Sequence, residues 1–317
     1  MSDPFDLSDT PAYRSWREDK LGRSPTRIDA LTVPLKTLGA PTKGELDAIC
    51  EAVARGNLAL IRCADPSGIE PGAMLGLGRH LGLTRLDANL CADEEAVSRI
   101  AVRPGSQTGE YIPYTDRPLS WHTDGYYNPQ GSEVRAWMLF CVRDATSGGE
   151  NALLDPELVY IRLRDQDPAM IAALMEPDAM TVPANVAEGR ELRAASTGPV
   201  FSVIDGHLNM RYSARTRNIQ WRDGQTLDAA RECLTGLLSR PDVYIFRHKL
   251  RPGEGYVSNN VLHNRTGFTA AAGADRLLLR LRYLDRVRFR PSSEQTGTCH
   301  AHPGLDHPDT TVQDEER

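Results

Sequence analysis

No apolar run in the 317-residue chain approaches the roughly 20 residues needed to cross a bilayer. The first thirty residues, MSDPFDLSDTPAYRSWREDKLGRSPTRIDA, also lack the apolar core of a secretory signal. A membrane partner is therefore not expected, and the cytoplasm is the expected compartment. A basic surplus is missing too: 37 Lys and Arg stand against 43 Asp and Glu, a formal net charge of -6. A chain of that sign has little to offer a polyanion, which excludes nucleic acid as an expected partner. The six cysteines, at 50, 63, 91, 141, 233 and 299, form no Cys-x-x-Cys pair. Reduced thiols are expected, and a cysteine zinc site is not. A Ser/His/Asp signature and a paired-carboxylate signature are absent as well.

The composition is that of a globular protein, with 40% hydrophobic and 25% charged residues. Residues 1–40 are polar and weakly periodic and read as an N-terminal extension that wraps the surface or is partly disordered. PTKGELDAICEAVARGN reads as an amphipathic helix opened by Pro41 and Thr42 and closed by Gly56. LALIRC at 58–63 has the pattern of a buried strand, and 71–83 that of a second helix. Beyond residue 98, short β-rich runs dominate: SRIAV, then VRAWMLFCV, then a hairpin VFSVIDGHLNMRYS about Asp205-Gly206. DPELVYIRLRDQDPAMIAALM and 226–240 read as helices, and DVYIFRHKL, EGYVSNNVLH and RLLLRLRYL as three late strands. The fold class expected is mainly β with added helices, a jelly-roll core over residues 41–290. Residues 291–317 read as a disordered tail, and the histidines at 300, 302 and 307 lie in it.

His122 and Asp124 in SWHTDGYYN stand two residues apart. On an extended chain such side chains point the same way, so the pair can grip one metal from one strand end. Gly125 lets the chain turn away behind them. A His-x-Asp pair alone also marks turns and caps, so it needs a third ligand. His263, ending a late strand in YVSNNVLHNRTGF, is the candidate. Two histidines and one carboxylate make the facial triad of non-haem iron sites, with the other coordination positions left open.

RLLLRLRYLDR alternates, with Leu277, Leu279, Leu281 and Tyr283 on one face and Arg276, Leu278, Arg280, Arg282 and Leu284 on the other. Such an arginine face is either solvated or lines a cavity that holds an anion. A buried guanidinium needs a partner, and its fork suits a carboxylate.

In this order the blocks resemble the taurine dioxygenase (TauD/TfdA) family. WHTDGYY looks like its first ligand block, SGGEN at 147–151 like the Gly-Gly segment that follows, NNVLHNRTGF like the second-histidine block, and DRLLLR like its arginine segment. The likeness spans residues 57–286. It implies a double-stranded β-helix, Fe(II) bound by His122, Asp124 and His263, and 2-oxoglutarate as cosubstrate with O2. It implies that Arg276 pairs with the far carboxylate of 2-oxoglutarate. Arg280 resembles the arginine that reaches the chelating end of the cosubstrate or an anionic substrate group. Asn151 stands where many members place Thr against that far carboxylate. The activity implied is hydroxylation of an unactivated C–H bond with release of succinate and CO2, and no catalytic side chain beyond the metal centre is needed.

For substrate, Tyr114, Tyr126, Tyr127 and Asn128 flank the first ligand block, and Arg211 offers a cation for an acidic group. Packing or surface roles compete at each position. A small polar or amino-acid-like molecule is the class implied, by family analogy. Desaturation or ring formation on the same iron site stays open, as does homo-oligomerisation. Halogenation is disfavoured because Asp124 fills the position a halide would take. A non-catalytic jelly-roll binding module would have lost a ligand, and a zinc hydrolase would leave Arg276 and Arg280 without a task.

Overall fold

A computed structural model describes residues 3–87, 96–102, 112–187, 189–215, 219–269 and 276–288. The expected tail at 291–317, with its histidines, lies outside the described residues, as do Cys91 and Cys299.

The framework is two β-sheets with helices outside them. In chain order the elements are α1 (Thr10–Arg23), β1 (Thr32–Leu35), α2 (Lys43–Gly56), β2 (Leu58–Cys63), α3 (Pro71–His80), β3 (Ser98–Ile100), β4 (Leu119–His122), β5 (Ala136–Arg143), β6 (Asn151–Leu154), α4 (Pro156–Gln166), α5 (Pro168–Met175), α6 (Gln225–Ser239), β7 (Phe246–His248), β8 (Glu254–Ser258), β9 (Leu262–Arg265) and β10 (Leu277–Tyr283). Six strands form one sheet in the order β1-β2-β8-β5-β10-β3. Four form the other, β7-β6-β9-β4. Only β1 and β2 among these pair in parallel. This is the double-stranded β-helix expected of the chain.

Sequence and structure agree where local chemistry is strong. Thr42 caps α2 through a reciprocal capping box with Glu45. Asp205 and Gly206, both at positive φ, turn the hairpin between 201–204 and 207–210. Gly56, expected to close α2, is its last helical residue, and Asn57 takes the left-handed cap at φ 52°. Gly56 is needed for packing instead, since a Cβ there would stand 2.9 Å from Leu31.

Four expectations are corrected. Residues 10–23, read as surface-wrapping or disordered, are helix α1. The helix has weak amphipathic patterning and is held by specific contacts: Lys20 is fully buried with its ammonium 2.5 Å from Asp155 and 2.6 Å from Glu157. The helix read over 155–175 is two helices. Pro168 forces its predecessor out of the helical region, so Asp167 sits at φ −161° and caps α5. DVYIFRHKL is strand only at 246–248. EGYVSNNVLH is two strands in different sheets. β8 belongs to the six-stranded sheet and β9 to the four-stranded one, with a corner at Asn259 and Asn260, where Asn260 adopts φ 55°. A doubled Asn inside an apolar run is itself a turn signal.

Candidate metal and cosubstrate site

β4 ends at His122, and Asp124 follows in the turn. β9 pairs antiparallel with β4, and His263 lies directly opposite His122. The two rings therefore face each other with centroids 4.2 Å apart. Asp124 Oδ1 lies 3.7 Å from His122 Nε2 and 4.0 Å from His263 Nε2. One ligand atom from each of the three falls within 4.8 Å of the others.

The tautomers are set locally. Nδ1 of His122 lies 2.9 Å from the Ser120 carbonyl, and Nδ1 of His263 lies 2.9 Å from that of Val261. A carbonyl only accepts, so each Nδ1 carries the proton and each Nε2 presents a lone pair. Burial, with the neighbouring His263, pushes His122 down to about 3, and burial lowers His263 as well. Both rings are thus neutral ligands near pH 7. Burial would raise Asp124, but Arg280 and Arg282 outweigh it and hold the carboxyl well below its usual range. Asp124 Oδ2 is buried with no hydrogen-bond partner among the described residues. Two imidazole lone pairs and a carboxylate gathered within 4.8 Å, the carboxylate with one oxygen unsatisfied, fit a divalent cation and the iron facial triad.

A cavity opens beside these atoms between the sheets, lined by Leu119, Asn151, Arg265, Trp137, Leu139, Leu278, Arg276 and Arg280. The arginine face of β10 therefore points inward. Arg276 is 5% exposed and packs its guanidinium 4.9 Å from the Phe268 ring, against Gly149. Among the described residues it has no carboxylate within ion-pair reach, and burial lowers it to about 10. Gly148 and Gly149 both take positive φ, and a Cβ on Gly148 would stand 2.1 Å from the Gly267 carbonyl oxygen. The Gly-Gly segment thus lets the chain pass close to the backbone of Gly267 and Phe268, beside this arginine. Arg280 reaches the other way, with Nη1 3.2 Å from Asp124 Oδ1. Asn151 is buried in the cavity wall. Its Nδ2 donates to the Asn264 carbonyl at 3.1 Å, which leaves the second N–H, while Oδ1 has no partner among the described residues.

The five substrate candidates separate. Tyr126 stands edge-on to His122, with centroids 6.4 Å apart. The Tyr127 hydroxyl accepts from Arg282 Nη1 at 2.7 Å, and Arg282 also pairs with Asp87. Asn128 donates to Asp87 at 2.9 Å and to the Ser132 carbonyl at 2.9 Å, bracing its own loop. Tyr114 is buried in the core under the six-stranded sheet. Arg211, offered by the sequence as a substrate cation, donates to the main-chain carbonyls of Met180, Ser196 and Gly198. Its fork is spent on backbone, because those irregular strands leave carbonyls that need donors.

Trp137, Arg265 and Asn260 escaped the sequence reading. Trp137 lines the cavity with its ring 4.9 Å from His263, and its buried N–H has no partner among the described residues. Arg265 donates to the carbonyls of Pro113, Thr115 and Arg117 and so ties down the segment entering β4. An alternating strand pattern marks which residues share a face, not which face meets the site.

Comparison with known proteins identifies the family and the fold. The family model described as "Taurine catabolism dioxygenase TauD, TfdA family" matches residues 20–282. A uridine-5'-phosphate dioxygenase from Streptomyces sp is 30% identical over 256 residues, covering 78% of this chain and 85% of that protein. One from Amycolatopsis sp is 31% identical over 173 residues, 53% of this chain and 62% of that protein. Among solved structures, an asparagine oxygenase in complex with Fe(II), 2S,3S-3-hydroxyasparagine and succinate superposes with a TM-score of 0.53 at 18% identity, over 80% of this chain and 93% of that one. The non-heme iron oxygenase OrfP with Fe and alpha-ketoglutaric acid gives 0.56 at 17% identity, over 77% and 80%. The chain belongs to the TauD/TfdA family and is an oxidoreductase of the Fe(II)- and 2-oxoglutarate-dependent dioxygenase class.

Proposed function

We propose that His122, Asp124 and His263 hold Fe(II), that 2-oxoglutarate lies in the adjoining cavity with its far carboxylate on Arg276, and that the enzyme hydroxylates an unactivated C–H bond of a small polar substrate, releasing succinate and CO2. One observation carries the cosubstrate reading. Arg276 is a buried guanidinium without a carboxylate partner among the described residues, in the cavity onto which the three ligand atoms open. An unpaired buried charge is costly unless a ligand completes it, and a dicarboxylate that chelates a metal at one end completes it at the other.

Bound iron and cosubstrate supply the oxidising power, drawn from O2. The chain's own groups bind and orient. The Nδ1–H bonds of His122 and His263 hold both rings with Nε2 toward the centre. Arg280 restrains Asp124 and lies at the chelating end of the cavity. The second Nδ2 hydrogen of Asn151 is the donor we assign to the far carboxylate. Leu139, Leu278 and Ile100 wall the cavity and keep water out. Tyr126 is the substrate candidate that stands edge-on to His122, and Tyr127, braced by Arg282, packs against it with centroids 5.2 Å apart.

For substrate, an amino-acid-like molecule is the first class, supported by the hydroxylated amino acids in the asparagine oxygenase and OrfP structures. A nucleoside 5'-phosphate is the second, favoured by the relative at 30% identity. The cytoplasm is the compartment we propose, since Cys50, Cys63, Cys141 and Cys233 are free thiols and a reducing compartment keeps them so. No helix among the described residues is long and apolar enough to cross a membrane.

The test is anaerobic addition of Fe(II) and 2-oxoglutarate, where a weak visible charge-transfer band is expected in the wild type and none in His122→Ala. An identical band in both would refute the assignment. A substrate panel of amino acids and nucleoside monophosphates, read by succinate release and product mass, names the class. A product heavier by one oxygen means hydroxylation, and one lighter by two hydrogens means desaturation or ring formation.

A further inference from the structure

Asn260 turns the corner between β8 and β9 and spends its whole side chain on the backbone of Asp124 and of Val134. Its Oδ1 accepts from the Asp124 backbone N–H at 2.8 Å. Its Nδ2 donates to the Asp124 carbonyl at 3.0 Å and to the Val134 carbonyl at 2.6 Å. The amide is buried, and its backbone φ of 55° is one that Asn tolerates better than most residues. Both peptide groups of Asp124 are therefore fixed by one side chain from the opposite sheet connection. Val134 is held by the same amide and packs against Gly125, where a Cβ would stand 2.4 Å from its Cγ2. The neighbouring Asn259 faces the other way. Its Oδ1 accepts from the Val287 backbone N–H at 3.0 Å, and its own N–H donates to the Asn57 carbonyl at 2.8 Å. The corner is thus anchored on one side and grips Asp124 on the other.

We propose that Asn260 is a positioning residue for the metal centre, which sets Asp124 at its distance from His122 and His263 and closes the base of the 125–134 loop that carries Tyr126 and Tyr127. Asp124 lies beyond the end of β4, so no strand ladder fixes its backbone. His263 follows Asn260 by three residues in the same chain direction, so one corner registers two ligands from distant parts of the sequence. Groups that hold a metal's ligands in place commonly set its affinity.

The inference rests on the reading of the triad as a metal site, and the experiment separates the two. The probe is Co(II), titrated alone into the metal-free protein and followed by visible absorption, with thermal unfolding of the metal-free protein in parallel. Asn260→Gly keeps the positive φ and removes all three hydrogen bonds. Its Co(II) dissociation constant is expected to rise by about 10-fold or more, with the metal-free protein still unfolding cooperatively. Asn260→Asp keeps the bond from the Asp124 N–H and loses both donated bonds, and a weaker site is expected there too. Wild-type affinity in a folded variant of either kind overturns the proposal. If neither variant folds, Asn260 serves the fold and the proposal is overturned as well. If the wild type itself binds no Co(II), the metal reading fails with it.

Discussion

Arg280 Nη1 lies 3.2 Å from Asp124 Oδ1, so a cation on β10 touches the only carboxylate of the three-residue ligand cluster. Burial works to protonate Asp124, and Arg280 is the largest influence keeping it ionised. In Arg280→Gln the carboxyl is expected to titrate higher. A proton then competes with the metal at higher pH, so the acid limb of Co(II) binding should move upward. A limb that stays in place or moves down would show that Arg280 does not hold the charge on Asp124.

Arg276 carries an opposite signature. A buried guanidinium with no carboxylate partner among the described residues burdens the free protein, so Arg276→Met is expected to raise the melting temperature without ligand. The same change should raise the KM for 2-oxoglutarate by about 30-fold or more, the equivalent of ~2 kcal/mol. In the wild type, 2-oxoglutarate with metal should raise the melting temperature, and in the variant it should not. Calorimetry on both proteins checks the two signs together.

Lys20 ties α1 to the start of α4 through Asp155 and Glu157. Lys20→Met takes the shared cation from Asp155 and leaves Glu157 only Arg286, 3.9 Å away, and a loss of about 3–5 kcal/mol is expected. The pH dependence has a definite sign. Although burial opposes it, Glu157 is lowered from its ordinary value by Lys20, so its contribution is present above the unfolded carboxylate range and is lost as pH falls. Lys20 is raised against the opposing effect of burial, by Asp155 and Glu157, so its contribution is present below the ordinary lysine range and is lost as pH rises through its folded value. Urea unfolding across pH should show both flanks in the wild type and flatter flanks in the variant.

Gly125 combines a φ of 69° with no room for a side chain. Gly125→Ala is expected to destabilise by more than the roughly 1–2 kcal/mol of left-handed backbone strain alone, since Val134 must also move. Adding Val134→Ala removes the Cγ2 contact at 2.4 Å but keeps the residue-134 Cβ at 2.9 Å, so it should recover part of the steric cost and leave the backbone part. A double variant no more stable than Gly125→Ala would show that Val134 is not the obstacle.

Much of the site was legible because its signals are local. His122 and Asp124 stand on one short segment, and the arginine face shows as a two-residue alternation. The capped helix over 43–56 and the Asp205-Gly206 turn are written in single residues. What escaped was non-local. EGYVSNNVLH looks like one strand because its apolar content is continuous, yet Asn260 turns it into a second sheet. Arg211 looks available for a substrate because the sequence does not say that three main-chain carbonyls surround it. Residues 10–23 look unstructured because their helix is secured by buried charges on another helix, which no periodicity reports.

By itself the sequence determined the ligand types, the arginine face and the family, since each rests on residue identity at short spacing. The tertiary structure alone decided that His263 stands across from His122, that Arg276 faces inward with no carboxylate beside it among the described residues, and that Asn260 grips Asp124. Those relations depend on which strands pair and in what register. Pairing is chosen by the burial of whole sheet faces and by satisfying backbone groups far apart in the chain, and a run of residues read along its length holds no record of the strand it will meet.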